Sequence, residues 1–148
     1  MKNILFTFML FFFAFSLNAQ RHNPALVKPI TYNKNVDAPL TTKEKSFIDE
    51  AYGDEAENLV YNIPSRLKEI KNILRNRVVI VTYENKDLSS IQPLSKVSLI
   101  NAKLQRDYNF DINSFNPLKY RFNFYSRDNT KYFRVDNKQI LIQILPQF

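Results

Sequence analysis

Gly53 is the only glycine in 148 residues, and that scarcity removes whole classes of fold and site. A phosphate cradle needs several glycines, because backbone N–H groups must come close to the phosphate through turns that a Cβ would block. Neither a P-loop nor a dinucleotide-binding fingerprint can therefore be written in this chain. A serine nucleophile elbow needs two glycines around its serine and is excluded by the same count. Cysteine is absent altogether, so there is no disulfide, no thiolate metal site and no residue for lipid acylation of an exported chain. No cofactor is implied.

The first residues read as an export signal. Lys2 and Asn3 make a short polar start, Ile4 to Leu17 form an almost purely apolar block, and Asn18, Ala19 and Gln20 return to small or polar residues. An apolar run of this length falls short of the ~20 residues a spanning helix needs, so the pattern predicts a cleaved signal peptide over residues 1–19. A cut after Ala19 places Leu17 where a small residue is usual, whereas Ala14 and Ser16 fit a cut after Ser16 better, so the exact site is left open. Removing the segment leaves 129 residues, an ordinary single domain that can bury ~65% of its unfolded surface without covalent staples. The expected location is periplasmic or extracellular, with no transmembrane segment after cleavage.

Charge is uneven. The full chain carries a formal +7. Arg21 to Glu57 holds five basic and seven acidic residues, whereas Asn58 to Phe148 holds fifteen and seven. A basic body in a cytosolic chain would raise nucleic acid as a partner. Export turns the expectation away from nucleic acid and towards an anionic envelope surface, an acidic polysaccharide or an acidic protein face.

Residues 20–40 contain Pro24, Pro29 and Pro39 with little apolar periodicity, and predict an extended arm leading into a single α+β domain over 41–148. Thr41 followed by Glu44 fits a capping box, so a first helix is expected from about Thr42 to Tyr52, ending or bending at Gly53 before Asp54 to Asn62 resume it. Pro64 marks the next helix start. In the segment Ser65 to Asn76, Leu67, Ile70, Ile73 and Leu74 fall within a 120° arc, as a core-facing stripe requires. Arg77 to Tyr83 reads RVVIVTY, a β-branched run predicted to be a strand covered on two sides. Glu84 to Leu118 predicts irregular structure with one or two short elements.

From Lys119 the pattern alternates. Tyr120, Phe122 and Phe124 interleave with Arg121, Asn123 and Tyr125, and Ile140, Ile142 and Ile144 with Leu141, Gln143 and Leu145. With a hairpin loop at Arg127 to Thr130 and a tight turn at Asp136 to Lys138, where Asn137 can take the left-handed conformation, these predict a three-stranded antiparallel meander. Phe115 to Ser126 (FNPLKYRFNFYS), Tyr132 to Asn137 (YFRVDN) and Ile140 to Gln147, with Leu94 to Leu99 (LSKVSL) and Asn76 to Val78, resemble the C-terminal signature of small exported proteins of the flavobacterial type. That family has no assigned activity. The resemblance implies export and carries no functional residue with it.

Candidate chemistry is sparse. His22, the only histidine, lies in the arm, where an exposed tail residue is the simpler reading than a catalytic or metal-binding one. Asp49, Glu50, Asp54, Glu55 and Glu57 crowd around Gly53 without the alternating ligands of a calcium loop. Asp107 with Asp111, or Asp128 with Asp136, could supply the paired carboxylates of a glycosidic hydrolase, although Asp128 and Asp136 sit in turn sequences that favour Asp for its backbone hydrogen bonds.

Basic and aromatic residues make better candidates. Lys68, Lys71 and Arg75 project together from one helix face with Arg77 at its end, and predict a contact with an anionic partner; a solvated face that complements the helix dipole is the plainer alternative. Tyr120, Tyr125 and Tyr132 interleave with Arg121, Arg127 and Arg134. With Tyr120 turned inward, Arg121, Tyr125, Tyr132 and Arg134 form a candidate ligand-binding sheet face, able to stack on sugar rings while pairing acidic groups.

The expected fold is thus two or three N-terminal helices packed on an antiparallel sheet that ends in a C-terminal meander. The expected function is that of a non-catalytic exported binding or accessory protein. A small Asp/Glu-dependent hydrolase and a structural component of an envelope complex are the alternatives.

Overall fold

The computed structural model describes residues 30–84 and 87–147. The segment read as an export signal, His22 and the first part of the expected arm lie outside the described residues.

Helix α1, Thr42–Tyr52, starts at the capping box its sequence announces: Thr41 Oγ1 accepts from Glu44 N at 3.2 Å, and Glu44 Oε2 accepts from Thr41 N at 2.8 Å. It buries Ile48 and Ala51. Gly53 ends it with φ 54° and ψ −134°, a combination that only glycine reaches without strain. The chain continues through a 3-10 turn, Gly53–Glu55, and a π-helical turn, Glu57–Tyr61. Helix α2, Pro64–Asn72, has its proline in the first turn, where the missing N–H costs nothing. A π turn, Ile73–Arg77, prolongs it. Of the apolar stripe, Ile70 and Ile73 are buried and Leu67 and Leu74 pack half-buried beside them.

Three strands form one antiparallel sheet: β1 (Val78–Thr82), β2 (Lys131–Arg134) and β3 (Ile140–Ile144), in the order β1-β3-β2. Ile142 pairs with Ile80 on one side and Phe133 on the other. These residues, with Val78 and Ile144, turn to a core of Leu94, Val97, Phe115, Tyr120 and Phe122. A second cluster joins α1, Ala56, Val60, α2 and Leu118, and Val78 and Phe124 pack against both. Burying an isoleucine such as Ile48 or Ile142 fully contributes about 1.5–3 kcal/mol. The architecture is α+β, with helices first and an antiparallel sheet built on the C-terminal strands.

Two expectations of detail are corrected. Arg77 to Tyr83 does not lie inside a sheet covered on both faces: β1 is an edge strand, and Val79 and Thr82 are exposed. Tyr120 to Tyr125 is not a strand. It touches the chain at 98–100 through a single bridge, Leu99 to Tyr120, with Arg121 N donating to Ser98 O and Ile100 N to Lys119 O. The edge of β3 that a meander would leave open is taken by β1, and the 120–124 backbone folds on itself instead, Phe122 N donating to Tyr120 O and Phe124 N to Phe122 O. The inward set is nonetheless as the alternation predicts: Tyr120 and Phe122 are buried, their rings 5.5 Å apart, while Arg121, Asn123 and Tyr125 are exposed. The tight turn at 136–138 is made with Asn137 at φ 55°.

Candidate functional site

The basic row on α2 is occupied by the chain itself. A 3-10 turn, Lys34–Asp37, runs along it with Val36 buried. Arg75 forms a two-point fork with Glu44, Nε to Oε1 and Nη2 to Oε2 both at 2.6 Å, and also donates to the carbonyls of Asn35, Ala38 and Pro39. Lys71 Nζ donates to Val36 O at 3.2 Å and Ala38 O at 2.8 Å. Lys68 pairs with Asp37 at 3.1 Å and sits 5.3 Å over the Tyr32 ring. The spacing that puts three cations on one face is real, but they hold the arm against the helix.

Arg77 is 3% exposed and belongs to the interior. Its Nε and Nη2 donate to Leu145 O at 3.1 and 3.0 Å, and Nη2 also to Phe124 O. Burial pulls its pKa below the ordinary arginine value, with the Glu69 carboxylate opposing. Such a side chain ties the end of α2 to the last strand and cannot meet a large partner.

The four sheet-face candidates divide. Tyr132 and Arg134 alternate on β2 and so share its outer face, where Tyr132 is 48% exposed opposite Gln143 and Arg134 Nε donates to Ile91 O at 3.1 Å. Arg121 and Tyr125 lie in a different place. They line a cleft of about 390 Å³ whose floor is apolar, with Ile70, Ile73, Leu118 and Phe122, and whose remaining polar side chains include Tyr52 and Arg66.

Arg66, one turn before Ile70 on α2, organises that cleft. Its Nη1 donates to Tyr125 Oη and, at 3.2 Å, to Glu69 Oε2, while Nη2 donates to Tyr52 Oη at 3.2 Å. Arg66 and Tyr125 also line a second cleft of about 620 Å³ with Tyr32, Glu69, Arg127 and Gln147. The hydrogen-bonded pair is the wall common to both. Arg121 is anchored from below, Nε to Leu99 O at 3.1 Å and Nη2 to Ile100 O at 3.3 Å, which leaves Nη1 without a partner among the described residues. Among the described residues the linings of the two clefts together carry three arginines, Arg66, Arg121 and Arg127, and one carboxylate, that of Glu69, which accepts from Arg66. Sequence reasoning does not single out Arg66 or Tyr52; the one signal available is the i, i+3 spacing of Arg66 and Glu69.

Three of the four candidate acids, Asp107, Asp111 and Asp136, are engaged in the fold. Asp107 accepts from Lys119 Nζ and Tyr120 Oη, both at 2.7 Å. Lys119, 5% exposed, also pairs with Glu50 at 3.1 Å; burial works against its charge, and the two carboxylates outweigh it and raise its pKa. Asn116 completes the network, donating to Glu50 Oε2 and Phe47 O at 2.9 Å, so α1 is cross-linked to the segment 107–120. Asp111 closes its own turn, accepting from Asn113 N and Ser114 Oγ. Asp136 accepts from Ser95 N at 2.9 Å and Oγ at 2.8 Å. Although its partial burial acts upward, these bonds hold its pKa below the usual carboxylate value. Asp128 lies exposed in its turn. Instead of the two pairs expected, Asp107 and Asp136 line one cleft together.

Among the described residues no cluster of three or more His, Cys, Asp or Glu side chains is placed to hold a metal ion, and no helix is long and apolar enough to cross a membrane. No protein-family model, curated protein or solved structure matches the chain.

Proposed function

We propose that this is an exported, non-catalytic binding protein that holds an anionic partner across the two clefts joined at Arg66 and Tyr125. The observation that carries the reading is the charge of those clefts: among the described residues, Arg66, Arg121 and Arg127 against the one carboxylate of Glu69. Tyr52, Tyr32 and Tyr125 add ring faces beside the guanidinium groups, a combination that favours an acidic polysaccharide over a bare lipid headgroup. The apolar sequence of residues 4–17 supports export. Asp107, Asp111 and Asp136 are each taken up by hydrogen bonds within the fold, which supports binding over hydrolysis.

Co-sedimentation of the purified protein with its own cell-envelope fraction across a salt series tests the proposal. Binding should fall steeply as salt screens the arginines, and should be competed by a soluble polyuronate. Binding that survives high salt contradicts it and points to an apolar protein contact in an envelope complex.

A further inference from the structure

A third cleft, which shares Tyr120 with the first of the Arg66 clefts but none of its arginines, carries charges of both signs that do not pair with one another. It is the small one, about 200 Å³, lined by Arg106, Asp107, Asp136 and Lys138 over an apolar floor that includes Leu94 and Phe110. Each charged group is fixed from behind. Asp107 is held by Lys119 and Tyr120, Asp136 by the Ser95 backbone and hydroxyl, Arg106 by Leu94 O at 3.3 Å, and Lys138 by Phe110 O at 2.7 Å. Among the described residues none of the four forms an ion pair with another of the four.

Two fixed carboxylates and two cations around one small apolar floor are complementary to a molecule that carries both charges itself. Each of the four charged lining groups retains hydrogen-bonding capacity: a carboxylate oxygen has a second lone pair, and an ammonium or guanidinium has further N–H donors. Their orientation is set before any ligand arrives, which lowers the ordering cost of binding. The volume is below the 300–1,000 Å³ usual for drug-sized ligands, so the occupant is small. The 88%-exposed Tyr108 stands among the lining residues as a ring that can close over it.

The geometry points to a binding site for a free apolar α-amino acid, whose ammonium meets Asp107 and Asp136, whose carboxylate meets Arg106 and Lys138, and whose side chain rests on Leu94 and Phe110. This site is independent of the anionic partner proposed above, since none of Arg66, Arg121, Tyr125 or Arg127 takes part.

Isothermal titration of the purified protein with L-leucine, N-acetyl-leucine and leucinamide tests the site. Leucine should bind saturably, with each blocked derivative at least tenfold weaker because one of its charges is gone. Arg106→Gln should weaken leucine at least fivefold and leave leucinamide unchanged, and Tyr108→Ala, at a wholly exposed position, should weaken leucine without altering the melting temperature. No saturable binding of leucine, or equal binding of all three compounds, overturns the inference. Polyuronate binding measured on the same samples reports separately on the Arg66 clefts.

Discussion

Glu44 and Arg75 form a two-point fork, Oε1 to Nε and Oε2 to Nη2, each at 2.6 Å, with solvent reaching only 12% and 13% of the two side chains. The same carboxylate closes the capping box of α1 through Thr41 N. One acidic side chain thus fixes the start of α1 to the end of α2, while the same guanidinium holds the carbonyls of the arm. Planarity matters here, since a fork of parallel bonds is available to a guanidinium and not to an ammonium.

Arg75→Lys should accordingly destabilise the protein although charge is retained. Loss of one fork bond and of the carbonyl contacts predicts about 1–3 kcal/mol, seen as a lower urea midpoint with an unchanged slope. A variant as stable as the parent would mean that the fork contributes nothing.

The fork also sets an acid limit. Hydrogen bonds from Arg75 hold the Glu44 pKa below its ordinary 4.5, against the opposing effect of burial. A folded pKa below the unfolded one means that the unfolded chain binds the proton more readily. The contribution of Glu44 is therefore complete above about pH 4.5 and is lost as pH falls through the lower folded value. Thermal melts from pH 7 to pH 3 should show stability dropping below that point, and Arg75→Lys should make the drop shallower. A drop of the same depth in both proteins would contradict the assignment.

Much of this was readable before the structure, and the failures share a cause. Thr41 with Glu44, Pro64, the Ile70 and Ile73 stripe and Asn137 are local signals, in which a few neighbouring residues satisfy their own backbone or bury one face. The alternation at Tyr120 to Phe124 correctly reports which rings are buried, yet it misleads about the strand, because burial periodicity does not say which chain supplies the ladder partner. That partner for β3 is β1, about sixty residues earlier. Likewise Lys68, Lys71 and Arg75 share a face as their spacing dictates, but the sequence holds no sign that residues 34–39 return to cover it. Arg66 carries no local signal, because its partners Tyr52 and Tyr125 are distant in the chain.

Tyr120→Phe should loosen the segment around Asp107. The buried hydroxyl donates to Asp107 Oδ2 at 2.7 Å and accepts from Asp107 N at 3.1 Å, and its removal leaves a backbone donor and a carboxylate oxygen each short of a partner. A loss of about 1–3 kcal/mol is expected, with amide exchange at Asp107 accelerated more than in the core of the sheet. Unaltered exchange at Asp107 would show that the hydroxyl does not hold the segment.

Arg77→Met should separate packing from tethering. The methionine can fill much of the volume but leaves Leu145 O and Phe124 O without the guanidinium, so a cost of about 2–4 kcal/mol is expected. An equal or higher melting temperature would mean that the incompletely partnered buried charge, whose Nη1 has no hydrogen bond among the described residues, costs more than its tethers return.

On the function proposed here, the clefts at Arg66 and Tyr125 bind the anionic partner and the α2 lysine face does not. The direct test is titration of polygalacturonate into the parent, an Arg121→Gln/Arg127→Gln variant and a Lys68→Gln variant at low and at physiological salt. At least a tenfold loss of affinity and a weaker salt dependence are expected in the double variant, with Lys68→Gln indistinguishable from the parent. Full affinity in the double variant, or loss confined to Lys68→Gln, would contradict it.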